Sequence, residues 1–163
     1  MSLTTAEVLV GHGNLSIDSI DMGATDGGFT IRSESEWFDA KVDHSLGVVK
    51  KKLVGRKVFG SANVAQAALD KIAVAYGLTA ASISGQTLTY ASQDRGVVTG
   101  AFVVPGGNPS GFDRTYAFAR IVSLGNSESV YQRDGITFVP VEFEVIPSVD
   151  GVDSYFTIFD ATA

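Results

Sequence analysis

The chain has 163 residues, 45% of them hydrophobic, which suffices for one substantial core and a single domain over residues 1–163. Its net charge of −6 opposes a free-standing nucleic-acid-binding module, and the lack of cysteine excludes disulfides and thiolate chemistry. Eighteen glycines alongside many Val, Thr, Phe and Ser residues point to an all-β protein with tight turns.

The opening MSLTTAEVLVGHG has neither the charged start nor the continuous apolar run of a signal peptide. No later segment approaches the roughly 18 apolar residues of a membrane span. The expected protein is therefore neither exported by a classical signal nor membrane-bound, and its cysteine-free composition fits synthesis in a cytoplasm. Leu15, Ile17 and Ser19 alternate with Ser16 and Asp18, and Phe29 and Ile31 with Thr30 and Arg32, as half-buried strands require. From Glu36 to Asp43 the alternation puts Phe38, Ala40 and Val42 on one face and Trp37, Asp39, Lys41 and Asp43 on the other, which leaves Trp37 among charges. Residues 57–62, 97–104, 114–123, 136–146 and 154–160 read as further strands between Gly, Asn, Asp and Pro clusters, for about eight to ten strands in all.

One helical pattern interrupts them. Asn63 and Gln66 resemble a loose capping box, Ala65, Leu69, Ile72 and Tyr76 recur at helical spacing, and Gly77 supplies a stop. This predicts an amphipathic helix packed on the sheet, its apolar stripe a core face rather than a ligand box. Thr79 to Gln86 and Pro105 to Arg114 read as loops, and the second is long for a hairpin connection, a length that suits either a contact loop or a solvated turn.

Candidate chemistry is thin. Asp43, His44 and Ser45 are the letters of a hydrolase triad, but consecutive strand residues point to opposite faces and cannot form the required relay. His12 and His44 are the only histidines and lack ligand spacing, so no transition-metal site and no cofactor is expected. Asp150 and Asp153 fall in an Asp-Gly turn without the ligand pattern of an EF-hand, and Gly11-His12-Gly13 does not continue as a phosphate-binding motif. No set of groups supports an enzyme.

Charge is the distinctive feature. Six of the twelve Lys and Arg residues lie in KVDHSLGVVKKKLVGRK, from Lys41 to Lys57, against the single acid Asp43. After Arg133 there is no Lys or Arg, while Asp134, Glu142, Glu144, Asp150, Asp153 and Asp160 are acidic. The ribbon fits a solvated hairpin tip or, with no interleaved aromatics for stacking on bases, a docking element for an acidic surface. Complementary ends within one chain suit head-to-tail self-association, which builds rings or filaments.

The run VDHSLGVVKKKLVGRKVFGSANVAQAALDKIAVAYG resembles the corresponding segment of phage major tail tube proteins of the long, non-contractile type, where a "VDQSxGPV"-like ribbon leads into a strand and a helix. VGHGNLSIDSIDMGATDGGFTIRSES is similar to that family's opening pattern, and FVPVEFEVIPSVDGVDSYFTIFD to its closing strands. Roughly residues 79–130 carry no match, and His44 and Val48 stand where the family usually has Gln and Pro. The resemblance implies a β-sandwich or partial barrel with a flanking helix and an extended hairpin. It also implies six copies in a ring and rings stacked into a tube. The implied partners are other copies, the tape measure protein, and tail terminator and distal tail proteins. DNA passes through the lumen without sequence-specific binding, and the implied location is the virion tail.

By that resemblance the inter-ring hairpin runs from Val42 to Lys57, comprising Ser45, Leu46, Gly47, Val48, Val49, Lys50, Lys51, Lys52, Leu53, Arg56 and Lys57. Lys50, Lys51 and Lys52 are expected to meet acids of the next ring, while Val48, Val49, Leu53 and Val54 add apolar burial. Glu142, Glu144, Asp150 and Asp153 are the candidate acids for docking or for the lumen, and Trp37 is the candidate interface aromatic. The alternation around Glu142 and Glu144 fits a lumen strand and an outer strand equally. Tubes of contractile tails and secretion systems share the fold and remain alternatives. So does a virion-surface or carbohydrate-binding β-sandwich using Trp37, Tyr90 or Tyr131, which leaves the basic ribbon unexplained.

Overall fold

A computed structural model of the protein describes residues 13–41, 48, 50–65, 68–92, 94–128, 138–149 and 154–162. Strand β1 (Asn14–Ile17) turns through Asp18 and Ser19, at φ 53° and 63°, into the long β2 (Ile20–Ala40). Two residues with positive φ make the tight turn that matches strand twist, so Ser19 belongs to the turn and does not extend the β1 alternation. β3 (Lys50–Val64) returns along β2, and helix α1 (Leu69–Ala75) follows. A 3₁₀ turn (Ala80–Ser82) and a small hairpin of β4 (Ile83–Ser84) and β5 (Thr87–Leu88) occupy the stretch expected to be a loop. β6 (Val97–Val104), β7 (Arg114–Ser123), β8 (Val139–Val145) and β9 (Thr157–Asp160) complete the fold.

All pairings are antiparallel, and the all-β class with one flanking helix holds. The main sheet runs β6-β1-β2-β3-β8-β7-β9, and β7 also pairs with β6, so six strands close into a barrel. β7 shares one edge between β8, at Ile121–Ser123, and β9, at Arg114–Ala117. Closure pairs the six barrel strands on both sides within the barrel, while β9 pairs with β7 alone.

Alternation fills the interior. Along β8, Val139, Val141, Phe143 and Val145 are buried while Pro140, Glu142 and Glu144 face away. Phe29 stacks on Phe102 at 4.5 Å between ring centroids, and Phe118 meets Phe143 edge-on at 5.5 Å. These rings need space opposite them. A Cβ on Gly60 would lie 2.4 Å from the Phe143 ring and 3.0 Å from that of Phe29, so only glycine fits beneath the cluster.

Helix α1 is shorter than its sequence pattern. Asn63 pairs with Asp26 and Pro140 inside β3 instead of capping a helix, Ala65 is exposed at a bend, and Gln66 lies outside the described residues. The sheet wins because β3 is hydrogen-bonded on both sides there and buries Val64 completely, which outweighs a cap worth about 1 kcal/mol. The helix starts at Ala68 without a side-chain cap. Its other end follows expectation: Gly77, at φ 70°, donates to the Val74 carbonyl and Leu78 to that of Ala73, the paired bonds of a Schellman stop. Ala73, Val74 and Ala75 are buried, and the Ser123 hydroxyl donates to the Val74 carbonyl at 3.1 Å.

Strands β6 and β7 match residues 97–104 and 114–123, and the β8 and β9 expectations trim to shorter spans. The long connection between β6 and β7 is exposed over residues 105–106 and 109–113 and is anchored between them at Asn108. Asn108 is buried, its Oδ1 accepts from the Ser110 and Phe112 amides, and its Nδ2 donates to the Ala161 carbonyl. Among the described residues, no helix is long and apolar enough to cross a membrane.

Candidate functional site

The β2–β3 ladder runs on after the barrel ends. Its register extends from Thr25 opposite Val64 to Ala40 opposite Lys50, yet β8 accompanies β3 only over Val58–Val64 and β1 accompanies β2 only as far as Ala24. Among the described residues, Ser33–Ala40 and Lys50–Lys57 therefore form a two-stranded arm with no third strand. Eight residues of extended chain give it a length of about 27 Å. Every residue in it is exposed except the half-buried Ala40 and Gly55. One side chain braces its root: the Tyr155 hydroxyl donates to the Arg56 carbonyl at 2.7 Å. A ribbon of this kind is marginal alone in water, and both outer edges offer unpaired backbone groups.

Pairing changes the charge picture drawn from the linear sequence. Glu34 lies opposite Lys57, Glu36 opposite Gly55 and Asp39 opposite Lys51. The Lys51 ammonium reaches the Asp39 carboxylate at 3.4 Å, and Arg32 contacts Glu34 at 3.3 Å while stacking over Phe59. The basic strand is thus partly offset by the acidic RSESEWFD strand beside it, and the segregation implied by the Lys41–Lys57 run is smaller in space. Among the described residues, Lys50, Lys52, Arg56 and Lys57 form no ion pair, so the arm keeps a surplus of cations.

Large apolar groups stand in the same exposed arm. Trp37 is 54% exposed, Phe38 59%, Leu53 37% and Val54 56%, and Val48 near the tip is exposed as well. Trp37 pairs with Leu53, and Val54 is the extra residue at a register shift. As expected, Trp37 shares a face with Asp39 and Phe38 lies on the other. The Trp37 face is the one that continues the buried side of the sheet through Ile31 and Phe29, beyond the point where the core ends.

Of the candidate acids, Glu142 is exposed and Glu144 half-buried on the outward side of β8, opposite Ser61 and Phe59 of β3. Glu142 borders a shallow groove with Thr30, Arg32, Ser61 and Asn126. Asp160 is engaged elsewhere: the Arg114 guanidinium donates to both its oxygens, at 2.6 and 2.8 Å. These two parallel hydrogen bonds hold the Asp160 carboxyl below the usual carboxylate range and raise Arg114. Arg95 makes a similar tie, its side chain almost buried, to Asp18 at 2.7 Å and to the Leu78 carbonyl. Ser45, Leu46, Gly47, Val49, Asp150 and Asp153 lie outside the described residues.

Phe38, Glu34, Glu36 and Asp39 belong to the arm and were not among the residues expected there. Their signal was present in the stretch between Ile31 and Trp37, where no apolar residue interrupts Arg-Ser-Glu-Ser-Glu and neither face can be buried. Compared with protein-family models and with curated proteins, the chain matches none.

Proposed function

We propose that this chain is a structural, self-assembling subunit that forms rings stacking into a phage tail tube, a conduit for DNA in the virion. The observation that carries this reading is the arm: a net-basic two-stranded ribbon that leaves Trp37, Phe38, Leu53 and Val54 in solvent. No free-standing monomer gains from exposing such a ribbon, whereas a neighbouring copy covers both its apolar groups and its strand edges. The net-acidic remainder of the chain supplies a complementary partner for the cations, with Glu142 and Glu144 on an accessible strand. Electrostatics would steer the contact and set its register, and strand pairing with apolar burial, repeated around a ring, would supply most of the affinity. The resemblance of both ends and the ribbon to long, non-contractile tail tube proteins favours that class over contractile-tail or secretion tubes.

Negative-stain electron microscopy of the purified protein tests the reading. Rings or tubes are expected, and replacing Lys50, Lys51 and Lys52 together by Glu should leave rings but shorten or abolish tubes. Tubes of normal length from that variant would remove the docking role of these lysines. Failure of the unaltered protein to assemble, with or without a nucleating tail tip, would remove the tube reading.

A further inference from the structure

Strand β1 begins at the rim of an apolar groove. The groove measures about 480 Å³, and its lining includes Phe29, Ile31, Phe102, Tyr116, Phe156 and Ile158. Gly13, the first described residue, is buried directly under one of these rings, and a Cβ there would collide with Phe102. Its carbonyl accepts from the Thr25 amide at 3.4 Å and from the Thr25 hydroxyl at 3.3 Å, which carries the β1–β2 pairing one step past Asn14 opposite Ala24. Beyond Thr25, no described residue pairs with β2 on the side that β1 holds.

We infer that residues 1–12 of the same chain cover this groove, with Leu9 as the side chain that enters it. The point at which the chain comes in decides the occupant. A strand antiparallel to β2 advances along it as its own sequence is followed backwards, so the register continued past Gly13 sets Gly11 to Glu7 opposite Gly27 to Ile31. Gly27, Gly28, Phe29 and Ile31 are the residues of β2 that line the groove. Twelve extended residues reach about 40 Å, ample for a stretch of β2 that begins just past Thr25.

Side-chain direction agrees with this placement. Alternation carries the inward face of Leu15 and Gly13 on through Gly11 to Leu9, opposite Phe29. If Gly27 and Gly28, which β2 has in excess of β3, are left unpaired on this side too, Leu9 moves opposite Ile31 and keeps the same face. Gly11 adds no side chain to compete with it, and Val8 and Val10 favour an extended chain. The cover would also supply backbone partners to the β2 edge. It needs no second copy, so it stands whether or not the chain builds tubes.

The chain has no cysteine, so thiols can be placed at will. Val8→Cys is combined in one chain with Ile158→Cys, a half-exposed position in the groove lining, or with Val149→Cys, which is 78% exposed and outside that lining. Equal amounts of unlabelled and heavy-nitrogen-labelled protein are mixed and treated with a short bismaleimide, and the linked peptides are weighed. Circular dichroism checks that each variant folds. The 8–158 link should exceed the 8–149 link at least about tenfold and join peptides of one label, since a tethered segment has a millimolar effective concentration. Adding Leu9→Asp should lower the 8–158 link about tenfold, because a carboxylate enters an apolar groove poorly. Links that join the two labels would give the groove to a neighbouring copy and overturn the inference. No excess over the 8–149 link, or an 8–158 link indifferent to Leu9→Asp, would overturn it as well.

Discussion

The closed barrel and the arm that leaves it are made from the same two strands, β2 and β3, yet they differ in what holds them. In the barrel, β2 has Phe29 and Ile31 against the core and β3 has Val58, Ala62 and Val64 buried between two neighbouring strands. A few residues further along, the same ladder bonds continue while burial stops, and Trp37 and Phe38 stand in solvent. Hydrogen bonds alone stabilise a ribbon little, because water competes for each of them. The barrel thus has a core of its own, whereas the arm finds none among the described residues of the chain.

This contrast can be broken from either side. The largest expected effect lies in the barrel: Phe143→Ala should cost about 3–5 kcal/mol, read from denaturant unfolding, because it empties the centre of the aromatic cluster. Gly60→Ala should cost about 1–3 kcal/mol by overpacking the same cluster, since its new methyl meets the rings of Phe143 and Phe29. Ser19→Gly should raise stability by up to about 1 kcal/mol by relieving a positive φ, provided Asp18 keeps its bond to Arg95. The smallest effect is expected at β9. Asp160 has a depressed pKa in the fold, so its pairing with Arg114 contributes above the unfolded value near about 3.9 and fades as pH falls through the lower folded value. Asp160→Asn should therefore flatten the acid limb of the stability curve, and an unchanged limb in a pH series of thermal melts would assign the pair no such part.

The elements read correctly from sequence share one property: their environment is set locally. β6 and β7 alternate between turn residues, and Gly77 ends its helix through its own backbone. What escaped is set by partners distant in the chain. Lys50–Lys57 has no alternation to reveal a strand, because both of its faces are exposed. Asn63 looks like a helix cap until β8 pairs beside it. The acids that temper the basic ribbon lie more than ten residues earlier, and only the hairpin register brings Asp39 against Lys51. An apolar groove lined by Phe29, Ile31, Phe102, Tyr116 and Ile158 likewise draws on β2, β6, β7 and β9 and has no linear signature.

The central claim, that the arm is completed by another copy whereas the barrel is complete in one, is tested most directly by amide hydrogen exchange on free and assembled protein. Amides of Ser33–Ala40 and Lys50–Lys57 should exchange quickly in the free protein and become protected on assembly, while those of β8 and the barrel part of β3 stay slow in both. An arm already as protected as the barrel in the free chain, or unchanged by assembly, would contradict the account.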